Sequence, residues 1–420
     1  MKPWAAWLGL CGIACGALGA AWQDHSTTLI VTGDLQGHLE PCGCTTPQTG
    51  GILRLATLVK ALRSKQDVVL LANGAMVNDV GKRDEIKAET IAQAYEEMGV
   101  GAINLAEEDA RLGIGGIYAI QNSSNSRLVC GCVTPTPSLP LKDTRQEGPF
   151  LIGGASTRSR QIASDLGSQE IGLDQAVEKL ISDAKGLDLA PVLMLDGSVS
   201  DADRVARKFP QLGLIVYRSP DNVPSAPRYI GHSMLVTAGE GGKGVVRINY
   251  DGSSFGVYQA IPLGPDFKDD PKVARFYAEY LKRVDQGGFL DRLPRSPSAA
   301  FAGSLACLAC HKQAYDVWAH SRHAQAFASL ESKGHARDPD CVGCHVVGLN
   351  AVGGFHSRAL NRNLANVGCE SCHGAAKRHV QHPHAFKLPT VKLGACLSCH
   401  TSEQSPNFNP LTSWPKIRHR

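Results

Sequence analysis

The sequence has little of several features that would define its class. Beyond residue 21, no segment of the 420 residues reaches the 18 consecutive apolar side chains typical of a membrane span, so no span is expected in the mature chain. The first 300 residues contain three histidines, His25, His38 and His232, too scattered for a histidine-rich metal centre. The basic C-terminal part carries no nucleic-acid-binding motif, so nucleic acid is not an expected partner.

The N-terminus has the pattern of an export signal. Lys2 precedes an apolar stretch that continues to residue 21, and the small side chains of Gly19 and Ala21 suit cleavage before Trp22. We therefore expect residues 1–21 to be a signal peptide and the mature protein to be periplasmic or otherwise extracytoplasmic. A lipid anchor at Cys15 is a weaker alternative, because the residues before it match a lipoprotein signal only in part.

Hydrophobic patterning divides the remaining chain into two domains and a linker. Residues 25–262 alternate strand-like apolar runs with segments of helical period, which predicts a layered α/β domain. The predicted strands are Thr28–Thr32, Val68–Leu71, Leu128–Val133, Val192–Leu195, Leu214–Tyr217 and Met234–Thr237. The predicted helices are Ile52–Arg63, Asp84–Met98, Leu173–Lys185 and Asp201–Lys208. Residues 263–302 read as a helix and a Gly- and Pro-rich linker, and residues 303–420 as a mainly α-helical, loop-rich domain.

The cysteines indicate the chemistry of residues 303–420. Eight of the 14 cysteines lie in four Cys-x-x-Cys-His motifs, which comprise Cys307, Cys310 and His311; Cys341, Cys344 and His345; Cys369, Cys372 and His373; and Cys396, Cys399 and His400. Two thiols at this spacing attach to the vinyl groups of one porphyrin, and the adjacent His binds its iron. The sequence therefore predicts four haem c groups. This segment contains 13 Lys and Arg and 6 Asp and Glu, which give it a net charge of +7. The excess positive charge can neutralise the propionate groups of the haems.

The C-terminal domain also resembles a known family. The runs 310–318, 321–324 and 369–374 resemble the cytochrome c-554-like family of tetrahaem cytochromes c. This family is typified by the electron acceptor of hydroxylamine oxidoreductase. The resemblance implies an electron-transfer module with mostly His/His-ligated haems and a redox partner protein. It implies His323, His379 and His419 as distal iron ligands. His320, one helical turn before His323, is an alternative to it, and the distal ligand of the fourth haem is left open between His335, His356 and none.

The N-terminal domain resembles the metallophosphoesterase domain of secreted 5′-nucleotidases. The resemblance rests on the segment 32–38, on Gly50 and Gly51 before a helix, and on the glycine-rich segment 239–244. That family holds two metal ions through an Asp-x-His, a bridging Asp, an Asn-His pair and later histidines. Of these, only Asp34 is matched, and we expect it to cap a turn.

Most of the metal ligands that the family uses are replaced in this sequence. The replacements are Gln36, Ala75, Glu107 with Glu108, Gly197, and Ser219 with Asp221. One intact ligand cannot hold two metals, so we expect a phosphoesterase fold without catalysis that acts as a scaffold or docking surface.

Four further cysteines form two Cys-Gly-Cys pairs, Cys42 with Cys44 and Cys130 with Cys132. In an oxidising compartment two disulfides are expected, and one pair should join the other because a bridge across a single residue is strained. A Cys₄ metal site is the alternative.

Two classes of function follow from these observations. The first is an exported electron carrier whose haem irons are all ligated on both sides. The second is a haem oxidoreductase that acts on a small nitrogen or sulfur species through one open iron. An active phosphohydrolase fused to a cytochrome is a third and weaker alternative.

Overall fold

The structure is a computed structural model that describes residues 26–41, 48–139, 141–401, 404, 405 and 407–419. The predicted signal peptide and the pair Cys42 and Cys44 lie outside these residues.

Two mixed six-stranded sheets form the N-terminal domain. The strands are β1 (Thr27–Gly33), β2 (Val68–Asn73), β3 (Ala102–Asn104), β4 (Leu128–Val129), β5 (Thr144–Glu147), β6 (Phe150–Ser156), β7 (Ala190–Asp196), β8 (Leu214–Val216), β9 (Arg228–Ile230), β10 (Ser233–Val236), β11 (Gly244–Tyr250) and β12 (Phe255–Pro262). The first sheet has the order β12-β11-β1-β2-β3-β4 and the second β5-β6-β7-β8-β10-β9. In each sheet the four strands that carry the crossover helices are parallel, and the remaining strands are antiparallel.

Eight helices cover the outer faces of these two sheets. They are α1 (Ile52–Arg63), α2 (Lys82–Glu97), α3 (Glu107–Ala110), α4 (Gly113–Ser123), α5 (Ser159–Asp165), α6 (Leu173–Leu187), α7 (Val199–Lys208) and α8 (Pro271–Gln286). Asp270 begins α8, because its side chain accepts hydrogen bonds from the first-turn amides and Pro271 has no amide hydrogen to leave unpaired.

The domain is a four-layer sandwich of helices, sheet, sheet and helices. Along β1, Leu29 and Val31 pack between the two sheets, whereas Ile30 points to the opposite face and joins the core beneath α1, α2, α4 and α8. This alternation follows from the two-residue period of a strand. A third core lies between the second sheet and α6 and α7, where Leu180 and Val205 are buried. The predicted layered α/β fold is confirmed.

Short helices and loops make up the C-terminal domain. Its α-helices are α9 (Lys312–Ala319), α10 (Ala326–Glu331), α11 (Pro339–Val342), α12 (Arg358–Asn361), α13 (Cys369–His373), α14 (Lys377–Gln381) and α15 (Pro410–Ser413). Its 3₁₀ helices are Ser304–Cys307, Arg322–Gln325, Arg362–Leu364, Leu393–Ser398 and Trp414–Lys416. The apolar core is small and surrounds the second Cys-x-x-Cys-His motif, with Phe327, Val342 and Phe355 buried. The predicted helical, loop-rich character is confirmed.

Several predicted elements differ in extent from those of the structure. The strand expected over Leu128–Val133 ends at Val129, because Cys130 and the residues after it turn towards the second sheet, and Gly131 donates a backbone hydrogen bond to Gly154. Helices α2, α6 and α7 start or end one or two residues from the predicted bounds, which is typical of helix termini.

Candidate functional site

Each Cys-x-x-Cys-His motif lies on a short helical turn. In the first and fourth motifs, the backbone amide of the histidine donates to the carbonyl of the first cysteine, at 2.8 Å for His311 and 2.9 Å for His400. The third motif is the helix α13 itself. A helical turn brings residues three and four positions apart onto one side, so the thiols and the imidazole of a motif can reach the same group.

Three motif histidines lie beside histidines from distant parts of the chain. The ring centroids are 6.1 Å apart for His311 and His379, 6.3 Å for His400 and His323, and 5.9 Å for His373 and His419. A metal–imidazole bond is about 2 Å long and a ring nitrogen lies about 1 Å from the ring centre, so two imidazoles on opposite sides of one metal have centroids about 6 Å apart. The observed separations fit an iron between each pair.

Hydrogen bonds orient several of these imidazoles through one nitrogen. The Nδ1 atom of His379 lies 2.6 Å from the carbonyl oxygen of Phe386, and that of His419 lies 3.0 Å from the carbonyl oxygen of Ile417. The Nδ1 atom of His400 lies 3.1 Å from the hydroxyl of Ser405. An imidazole whose Nδ1–H donates to a backbone carbonyl presents a neutral Nε2 as a metal ligand.

Burial favours the neutral form of three of the paired rings. It lowers the pKa of His323, His373 and His400, with smaller contributions from neighbouring histidines. A neutral imidazole is the form that binds iron, so the residues present fit haem ligation.

Thiols of different motifs meet in two pairs. The Cys307 thiol donates a hydrogen bond to the Cys369 sulfur, which raises the pKa of Cys307 and lowers that of Cys369 to about 6. A hydrogen bond from Cys344 lowers the pKa of Cys399 to about 6. The first motif is therefore adjacent to the third, and the second motif to the fourth.

The second motif has a different environment. His345 Nδ1 lies 2.6 Å from the carbonyl oxygen of Ala326, and no ring pair with another histidine involves His345 among the described residues. In His335, Nδ1 is 3.0 Å from the Tyr277 hydroxyl and Nε2 is 3.4 Å from a carboxylate oxygen of Glu40. Both nitrogens of His335 are thus engaged by the N-terminal part of the chain.

Contacts with the N-terminal domain hold the second motif in place. Asp340 forms ion pairs with Arg83, at 2.8 Å, and with Lys87, both on α2. The Tyr280 hydroxyl of α8 donates to the buried carboxylate of Asp338 at 3.4 Å. These contacts fix the start of α11, which carries Cys341.

A glutamate inside the third motif was not singled out from the sequence. The buried Glu370 carboxylate accepts hydrogen bonds from the amides of Ala302, Gly303 and Ala376, at 2.7–3.2 Å. It therefore ties the linker to the third motif. Its place between Cys369 and Cys372 gives no signal of this role, because the linker amides are distant in the chain.

At one end of the sandwich, an arginine lies among the residues that stand where the sequence resemblance places metal ligands. Arg218, which follows β8, donates to both carboxylate oxygens of Asp34, at 2.9 and 3.2 Å. Its Nη1 donates to Glu108, at 2.8 and 3.1 Å, and to Asp196, at 2.7 Å. The expectation that Asp34 caps a turn is wrong, because this side chain is paired with Arg218. Neither Arg218 nor Asp196 was singled out from the sequence.

The other replaced ligands surround this cluster without forming a metal site. Gln36 donates to Asp34 at 3.3 Å, Ala75 is buried, and the Ser219 hydroxyl donates to Asp221 at 2.8 Å. Across the described ranges, no three His, Cys, Asp or Glu side chains converge in an arrangement that could hold a metal ion.

The pair Cys130 and Cys132 is fully buried, with its sulfur atoms 3.1 Å apart. The expected link to Cys42 and Cys44 concerns residues outside the described part and stays a prediction.

Comparison with solved structures identifies the class of the N-terminal fold. The sulfate thiohydrolase SoxB of Thermus thermophilus superposes with a TM-score of 0.52 and 12% identity over 68% of each chain. A 5′-nucleotidase precursor, also from Thermus thermophilus, superposes with a TM-score of 0.54 and 13% identity over 74% of this chain and 68% of that one. The NAD nucleotidase of Haemophilus influenzae superposes with a TM-score of 0.54 and 12% identity over 66% of this chain and 64% of that one. The N-terminal domain therefore has the 5′-nucleotidase fold.

The C-terminal domain is similar to a particular family of c-type cytochromes. The family model "Cytochrome c554 and c-prime" matches residues 306–374. Cytochrome c-554 of Nitrosomonas europaea is 36% identical over 143 residues, which cover 26% of this chain and 61% of that relative. The predicted resemblance is confirmed for both domains, and the cytochrome family implies haem c as the cofactor.

A search for membrane spans found no helix of sufficient length and apolarity in the described part of the chain.

Proposed function

We propose that this chain is an exported c-type cytochrome that carries four haems and passes electrons between redox partner proteins. Haem c supplies an iron that alternates between the ferric and ferrous states. The observation that carries the proposal is the set of three imidazole pairs, each made of one motif histidine and one distant histidine about 6 Å away. The two histidines of each pair would hold one haem iron between them, which would suit electron transfer without substrate binding.

The proposed ligand sets follow from these pairs. Three haems would be held by His311 with His379, by His400 with His323, and by His373 with His419. The two thiol pairs support close spacing of the haems, because attachment sites in contact hold their porphyrins next to each other. Closely spaced haems let electrons pass through the whole set.

The haem at Cys341 and Cys344 supports a second candidate function. His345 is its proximal ligand in this proposal, and the ring nitrogens of His335 are engaged by Tyr277 and Glu40. His335 therefore offers no free nitrogen to this iron. An iron with one open position could act on a small nitrogen or sulfur species, which is the oxidoreductase alternative.

We propose that the N-terminal domain is a scaffold for the second haem site. Its residues Arg83 and Lys87 on α2 contact the segment that begins α11, and Tyr280 and Tyr277 of the adjoining helix α8 contact Asp338 and His335. Loss of catalysis does not affect such a role, because the contacts lie on α2 and α8 rather than at Arg218. The proposed domain limits are 25–262 for this domain, 263–302 for the helix and linker, and 303–420 for the cytochrome.

Export is part of the same proposal. Residues 1–21 would be removed as a signal peptide, and haem c attachment in the periplasm would follow. The similarity to a cytochrome c-554 supports an extracytoplasmic location.

The test combines haem counting with ligand binding to the full mature protein. Mass spectrometry should find four haem additions per chain and loss of about twenty leader residues. The ferric spectrum should be mainly low-spin. Three or fewer haems would contradict the proposal.

Carbon monoxide added to the reduced protein separates the two functions. A Soret band that does not shift supports a carrier with every iron saturated. A shift that corresponds to one haem in four favours the oxidoreductase and assigns the open iron to the second motif.

A further inference from the structure

The 5′-nucleotidase fold implies a pair of metal ions at the end of the sandwich where Asp34, Glu108 and Asp196 converge. The residues present do not fit such a pair. Arg218 donates two parallel hydrogen bonds to Asp34 through Nε and Nη2, and its Nη1 donates to Glu108 and Asp196. One guanidinium thus contacts all three carboxylates.

We propose that the guanidinium of Arg218 has replaced the metal ions of the fold, as a permanent cation of the chain itself that joins the three carboxylates and offsets part of their negative charge. The proposal goes beyond electron transfer, because it assigns a structural role to a site that would otherwise need metal.

The hydrogen bonds leave the carboxylates few positions for a metal. Both oxygens of Asp34 and of Glu108 face Arg218. In Asp196, Oδ1 accepts from Arg218, while Oδ2 accepts from the Ser156 hydroxyl at 2.7 Å and from the Glu107 amide at 3.1 Å. A metal would have to displace these donors, and donors on one planar group are held in a fixed geometry.

The choice of arginine follows from burial. Arg218, Asp34 and Asp196 expose 17%, 7% and 6% of their side chains. Burial acts to lower the pKa of Arg218, but the neighbouring carboxylates, Asp34 foremost, raise it above its ordinary value. The group therefore stays charged at any ordinary pH. Lysine would supply the charge but not the planar set of five donors.

The negative charge and the small volume of this site disfavour the binding of a phosphoester. Three carboxylates against one guanidinium leave the cluster negative, and a negative cluster repels phosphate. The cavity beside Arg218, lined also by Thr32, Asn73 and Thr237, has a volume of about 10 Å³. That space admits about one water molecule.

The experiment measures metal content and thermal unfolding of the full haem-loaded protein, with calorimetry in EDTA and in MnCl₂. Wild-type protein should carry no stoichiometric metal other than iron, should unfold at the same temperature in both solutions, and should not hydrolyse p-nitrophenyl phosphate with added Mn²⁺. Arg218→Ala should unfold about 5–10 °C lower in EDTA, because it leaves buried carboxylates unpaired. Mn²⁺ should restore part of this loss.

A matched control is Arg228→Ala, which removes an exposed ion pair with Asp203 and should change the unfolding temperature little. Arg218→Lys should fall between wild type and Arg218→Ala, since it keeps the charge but loses the planar donors. If Arg218→Ala does not accumulate, the wild-type metal content and the comparison of Arg218→Lys with the wild type still decide, because an Arg218→Lys protein as stable as the wild type would overturn the proposal. The proposal is overturned by stoichiometric manganese or zinc in the wild type, by an Arg218→Ala protein as stable as wild type in EDTA, or by an Arg218→Lys protein no more stable than Arg218→Ala.

Discussion

The imidazole of His323 lies beside that of His400, with ring centroids 6.3 Å apart, whereas His320 does not take part in such a pair within the described residues. His320 is exposed, and its Nδ1 lies 2.7 Å from the Asp316 carbonyl oxygen of the same helix. The sequence favoured His323 and left His320 as an alternative to it, and the surroundings of the two side chains now separate them.

The first prediction concerns these two histidines. His323→Ala should convert one haem of four from low-spin to high-spin in the ferric protein, because His400 would lose the imidazole opposite it. The reduced variant should bind carbon monoxide at that additional haem. Absorption and electron paramagnetic resonance spectra measure both effects.

His320→Ala is the matched control, and its spectra should equal those of the wild type. A high-spin signal in His320→Ala with none in His323→Ala would show that the assignment is reversed.

The four Cys-x-x-Cys-His motifs could be recognised in the sequence, but their grouping in space could not. Four Cys-x-x-Cys-His motifs are local patterns whose chemistry needs no tertiary information. The pairing of His311 with His379 depends on how α9 and α14 approach each other. The engagement of His335 by Tyr277 likewise depends on contact between two domains. Local patterns carry no information on such contacts.

The second prediction tests the attachment of the second motif to the N-terminal domain. Lys87→Met removes a buried ammonium that pairs with Asp340. The free energy of unfolding should fall by about 1–2 kcal/mol, since Arg83 still pairs with the partly exposed carboxylate. Denaturant titration measures this change, and limited proteolysis of the linker should be faster.

Lys82→Met is the control on the same helix, because Lys82 is exposed and pairs with Glu85 three residues on. Equal effects of the two changes would contradict a specific role for Lys87.

The third prediction concerns the buried Asp109. Burial raises its pKa to about 7, although the amides of Met76 and Val77 donate to it and act in the opposite direction. The folded protein therefore binds a proton that the unfolded chain, with a pKa of about 3.9, has released. The stability contributed by this proton is complete below pH 4 and is lost as the pH rises to about 7, by at most about 1.4 kcal/mol per pH unit.

Asp109→Asn keeps an oxygen acceptor for both amides and cannot ionise. Its free energy of unfolding should vary less between pH 5 and pH 8 than that of the wild type, and the same change at the exposed Asp79 should leave the wild-type slope. A slope in Asp109→Asn equal to that of the wild type would disprove the prediction.

The fourth prediction is that the segment around residue 43 is covalently joined to that around residue 131. Both Cys130 and Cys132 are buried, and the proposed export would place the chain in an oxidising environment. Peptide mapping without reductant should recover the two segments as one species. Free thiols at all four cysteines would indicate a metal site instead.

In the N-terminal domain, the sequence shows which metal ligands are missing but not which residue takes their place. Replacement of metal ligands by Gln36 and Gly197 is visible in the sequence and correctly indicates a changed site. Arg218 is not visible as a site residue, because it lies 184 positions from Asp34 in the chain and belongs to no local motif. Only the meeting of β1, β7 and β8 at one end of the sandwich brings Asp34, Asp196 and Arg218 together.

The thiol of Cys307 contacts that of Cys369, and the thiol of Cys344 contacts that of Cys399. Each contact joins the first half of the C-terminal domain to the second half. A chain divided between the second and third motifs would separate both pairs at once. Each fragment would keep two attachment sites but neither of these neighbouring pairs. Each of these two thiol contacts is therefore contained only in a span of three consecutive motifs, from the first to the third or from the second to the fourth.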